Sequence, residues 1–68
     1  MMTQIEMDRL ITGTALHLGI PEGTIRQWRC RGKVPFARRE DIREALAAQN
    51  IQLPRSAYDQ FGFGRVAA

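Results

Sequence analysis

Ten lysines and arginines are spread unevenly along this 68-residue chain. Six of them (Arg26, Arg29, Arg31, Lys33, Arg38 and Arg39) fall in one stretch that holds no acidic residue, while the rest of the chain carries four cations and seven acids. A cationic segment on a near-neutral body is the footprint of a polyanion partner, and equally that of a solvated basic loop. Other side chains able to do chemistry are sparse. One His and one Cys cannot supply the four ligands of a structural zinc site. There is no Gly-rich phosphate loop, and no carboxylate stands beside a His or a nucleophile in a catalytic pattern. The expectation is a non-enzyme with no catalytic residue, no cofactor, no metal and no small-molecule ligand.

Helices must position the basic segment, since no strong strand signal, repeat or low-complexity tract is present. Thr3 to Ile11 is predicted as a short first helix, with the capping-box spacing Thr3/Glu6 and apolar Ile5, Met7, Leu10 and Ile11. Thr12 is predicted to cap a second helix, Gly13 to Leu18, ended by Gly19. Pro21 suits the first turn of a third helix running to about Cys30, on which Ile25 and Trp28 share a face. After a loop, Pro35 opens a fourth helix through Asn50, with Phe36, Ile42, Ala45 and Leu46 inward and Glu40 and Asp41 near its positive end. Residues 1–53 then form the domain and 54–68 a tail, in which Ser56 to Phe61 has the makings of a helical turn and Gly62 to Ala68 reads as frayed. The fold class expected is all-α, four or five helices around one small core.

The informative segment is 11–30, ITGTALHLGIPEGTIRQWRC. Two helices meeting at a sharp angle need a small residue at the contact, here Ala15, and a residue tolerant of left-handed backbone at the turn, here Gly19. Apolar residues must fill the wedge, and Leu18, Ile20, Ile25 and Trp28 have the spacing. In these six positions the segment resembles the helix-turn-helix of phage Cro and cI-type repressors, and the likeness extends over about residues 3–50. Thr14, where an apolar residue is usual, and Gly23 inside the recognition helix depart from the pattern.

The resemblance implies that the third helix enters the major groove of double-stranded DNA with Glu22, Gly23, Arg26 and Gln27 at base edges. Arg bonds guanine at two atoms and Gln does the same with adenine, while Glu22 accepts from cytosine or orients Arg26. Gly23 lets backbone approach DNA closely. Phosphate contacts are expected from Thr12, at a helix start, and from Arg29, Arg31, Lys33 and Arg38. Trp28 is read as core, His17 and Cys30 as exposed bystanders, and Arg39 and Arg43 as salt-bridge residues of the fourth helix.

A chain this short folds with modest stability, and a partner copy would help it. Ile51, Leu53, Tyr58 and Phe61 are the candidate dimer surface, the other option being that they fold back onto the first helix. No apolar run reaches membrane-spanning length, no signal peptide is evident and the single Cys fits a reducing cytosol, so a cytoplasmic location is expected. By resemblance the function is transcriptional repression by a homodimer on a palindromic operator, in a phage or prophage setting. The alternatives are an architectural DNA-bending protein of excisionase type, and an antitoxin-like module whose tail binds a protein.

Overall fold

The computed structural model describes residues 2–62. Four helices follow in order: α1 (Gln4–His17), α2 (Glu22–Arg31), α3 (Phe36–Ala47) and the short α4 (Arg55–Asp59), with no strand among the described residues. Helix α1 touches each of the other three.

The first helix starts as its sequence directs. Thr3 Oγ1 accepts from the Glu6 N–H at 3.2 Å, and the Thr3 N–H donates to Glu6 Oε1 at 3.1 Å. The bond from the Thr3 N–H foremost, with the Thr3 hydroxyl adding to it, holds the exposed Glu6 carboxyl below its usual range. The helix does not break near Thr12, so the expected pair of helices, 3–11 and 13–18, is one helix of 14 residues. Asp8, Ile11 and Ala15 lie at i, i+3 and i+7 and are buried along one stripe that runs past Gly13. Packing of that stripe outweighs the roughly 1 kcal/mol that Gly costs in a helix interior.

At its end Gly19 takes φ +87°; its N–H donates to Leu16 O and that of Ile20 to Ala15 O, both at 3.0 Å. This is a Schellman close, with apolar Ile20 and Ala15 meeting beneath it. Ile20 therefore closes the wedge between α1 and α2. Leu18, expected there, caps α1 instead and is 43% exposed.

Gly32 ends α2 at φ +80°, where its N–H donates to Trp28 O. Asn50 at φ +60° plays the matching part after α3, which stops at Ala47 rather than running to Asn50. Ile42 and Leu46 point inward as expected, and Ala45 is half-buried. Phe36 does not point inward: it is 67% exposed. The buried line of α3 is Arg39, Ile42 and Leu46, and the guanidinium of Arg39 lies 4.1 Å from the centre of the Phe36 ring.

The segment after residue 53 belongs to the same core as the rest. Ala57, Tyr58 and Phe61 are fully buried with Ile11, Ile25, Trp28 and Ile42. Phe61 meets Trp28 edge-on at 6.5 Å. Val34 N–H donates to Tyr58 O at 2.9 Å, and Gly62 N–H to Asp8 Oδ2 at 2.9 Å. A division at residue 53 thus does not describe the packing as far as Gly62; of the stretch read as frayed, residues 63–68 lie outside the described residues. Tyr58 and Phe61 also leave the candidate dimer surface, because the single chain buries them. Ile51 and Leu53 are half-buried against the same core.

Candidate nucleic-acid interface

Helix α2 is divided between two environments. Ile25 and Trp28, 1% and 3% exposed, anchor its inner side on α1 and the C-terminal segment. Its outer side carries Glu22, Gly23, Arg26, Gln27 and Cys30, all exposed. Among the described residues the side chains of Arg26 and Gln27 make no hydrogen bond and no ion pair, and none joins Glu22 to Arg26. A Cβ placed on Gly23 meets nothing within 4 Å, so the chain's own packing does not demand glycine there.

The five expected phosphate contacts divide. Arg31, Lys33 and Arg38 are exposed. Arg31 and Lys33 stand at the C-terminal end of α2, and Arg38 shares a surface hollow with Leu18 and Ile20, in the turn before α2. Thr12 and Arg29 are turned to each other instead. Arg29 Nη2 donates to Thr12 Oγ1 at 2.7 Å, from the middle of α1 rather than from a helix start. The Arg29 guanidinium also lies 5.0 Å from the centre of the Phe61 ring, and its Nε is buried without a hydrogen-bond partner among the described residues. These contacts pin α2 across α1 and the C-terminal segment, and they correct the expectation that both residues face DNA.

The positioning network holds residues that the sequence reading passed over. Asp8, 3% exposed, takes Gln4 Nε2 on Oδ1 at 2.9 Å and the Gly62 N–H on Oδ2. Gly62 sits at φ +85° against Arg29, where an added Cβ would fall 2.7 Å from Arg29 Cγ. The signal for Asp8 in the sequence is faint: an acid at i relative to Ile11 and Ala15 on the buried stripe. Arg39, read as a salt-bridge residue within its helix, bonds Val34 O and Asp59 Oδ1, both at 2.7 Å, and so ties α3 to α4. Arg43 lies with its guanidinium 5.8 Å from the Tyr58 ring centre. His17 and Cys30 are exposed, as expected of them.

No helix among the described residues is long and apolar enough to cross a membrane. Compared with known proteins, the chain matches no family model, no curated protein and no solved structure.

Proposed function

We propose that this chain is a non-enzymatic, sequence-specific DNA-binding regulator of the Cro-like repressor type, acting in the cytoplasm. Its helix-turn-helix is the second half of α1, the turn through Gly19 and Ile20, and α2. The single observation that carries this reading is the division of α2: a buried Ile25/Trp28 spine, and an exposed outer face on which Arg26 and Gln27 have no hydrogen-bond or ion-pair partner among the described residues. Long polar side chains held on a rigid helix, framed by exposed Arg31, Lys33 and Arg38, suit base edges flanked by phosphates. Glu22 and Gly23 complete the reading face. That residues 55–62 are held by the chain itself supports this reading over the tail-borne protein-interaction one.

The test is selection of bound sites from random duplex DNA, repeated with Arg26→Ala and Gln27→Ala. The expected result is a site in which each substitution relaxes one base position at a cost of about 1–3 kcal/mol. Weak binding that falls steeply with salt and ignores both substitutions would mean that charge alone is at work, and the reading would fall. One α2 helix reads few bases, so two-fold pairing of protomers belongs to the proposal. With Tyr58 and Phe61 inside the core, another surface must supply that pairing.

A further inference from the structure

Two surface hollows, of about 410 and 310 Å³, meet at Ala45 and form one shallow groove between α1 and α3. The two helices run in opposite directions along it, since the lining goes from Arg9 to His17 on α1 while the facing residues go from Gln49, just past the end of α3, back to Arg38. Its lining is apolar or small at Leu10, Gly13, Leu18 and Ala45, and a Cβ built on Gly13 meets nothing within 4 Å. Its two ends differ in charge. Arg9 stands at one end, and Asp41 and Glu44 stand at the other beside Arg38. The acidic end therefore carries a net negative charge. None of these four side chains forms an ion pair among the described residues, although Arg9 is near enough to Glu6 to favour its ionised form.

We propose that this groove is the two-fold contact between two copies of the chain, with Arg9 of each protomer on Asp41 and Glu44 of the partner subunit. A groove that is positive at one end and negative at the other is complementary to itself when turned by half a revolution, which is what an isologous interface demands. The distance along α1 from Arg9 to Leu18, about 13 Å at 1.5 Å per residue, separates the two ends enough for both pairs to form at once. Glycine at position 13 and alanine at 45 let two such faces approach closely. The contact's use in spanning an operator rests on the reading above, whereas its chemistry does not.

Sedimentation of the full chain without DNA tests the groove, from about 10 µM to about 1 mM, the range in which a small polar interface associates. The wild-type chain should dimerise within it. Arg9→Glu should weaken dimerisation by roughly tenfold or more, and Arg9→Glu combined with Glu44→Arg should restore it. Gly13→Gln should block dimerisation while leaving the helical circular dichroism and Tm equal or higher, since Gly13 is exposed and its Cβ position is open in the monomer. A wild-type chain that stays monomeric, a double swap no better than Arg9→Glu alone, or a Gly13→Gln chain that still dimerises would each overturn the proposal. A monomer that nonetheless selects a DNA site sinks the groove and spares the DNA reading. A dimer that selects no site does the reverse.

Discussion

Single residues separate the parts of this chain that hold α2 from the part that α2 presents. Gly62 and Gly23 make the contrast. Gly62 is in left-handed backbone with its Cα against Arg29, so Gly62→Ala adds strain of about 1–2 kcal/mol from the backbone alone, before Arg29 is displaced. A thermal melt should show the loss. Gly23 is helical and exposed, and Gly23→Ala should raise stability by up to about 1 kcal/mol. If α2 brings backbone close to DNA, the same substitution weakens site-specific binding while Tm rises, an opposition that a merely structural glycine would not produce. Tyr58 makes a third case. Its hydroxyl is buried with no hydrogen bond of good geometry among the described residues, and burial pushes the phenol above its usual pKa of about 10, with the nearby Arg43, by charge and by its approach to the hydroxyl, and the Arg39 cation acting the other way. The phenol is protonated in both states below pH 10, and there stability does not depend on it. As pH rises past 10 the unfolded chain ionises first, and stability declines until the folded-state pKa is reached. Denaturant melts at alkaline pH should show that decline, reduced in Tyr58→Phe, which at neutral pH should be neutral or slightly stabilising.

Between elements, Arg39 is the side chain on which the arrangement of α3, α4 and the loop before α3 depends. It is 4% exposed and reaches Val34 O, Asp59 and the face of Phe36. Arg39→Ala leaves a buried carbonyl unpaired and a void under the loop, for an expected loss of about 2–4 kcal/mol by chemical denaturation. Asp59→Ala should cost less, because that carboxylate is half-exposed and water takes over part of its role. These cross-element ties explain which features the sequence disclosed. Caps and turns are local, so Thr3/Glu6, Gly19, Gly32 and Asn50 fall where their types direct. The inner stripe of α2 is local too, since Ile25 and Trp28 share a face by spacing alone. What escaped the sequence was decided by residues far along the chain. Gly13 reads as an interruption until the stripe Asp8–Ile11–Ala15 is seen to be packed on both sides of it. Thr12 and Arg29 read as phosphate ligands until α2 crosses α1 and brings them together. Phe36 reads as core until Arg39 takes the inward line. Tyr58 and Phe61 read as surplus apolar area because the α4 segment was not placed on Trp28.

At the scale of the whole molecule, a small core leaves no spare stability. A domain of this length holds roughly 5 kcal/mol or little more, and burying one large side chain contributes about 1.5–3 kcal/mol. Tyr58 and Phe61 are both fully buried, so a chain ended at Ala57 loses about as much as the fold possesses. It also loses the Gly62 bond to Asp8 and the Tyr58 carbonyl that pairs Val34. The expected outcome is an unfolded or molten chain: little cooperative melting, fast amide exchange throughout and no DNA selection. Were residues 1–53 an independent domain with an appended tail, the truncated chain would melt cooperatively at nearly the original Tm and keep its sequence preference. The same logic orders the cations by salt dependence. Exposed Arg31, Lys33 and Arg38 should each reduce the slope of log binding constant against log salt by about 0.9 when replaced by Ala, with Tm unchanged. Arg29→Ala should instead lower Tm and change the slope little, because its charge is engaged between Thr12 and the Phe61 ring. A slope change at Arg29 as large as at Lys33 would mean that the pin on α2 opens when DNA binds.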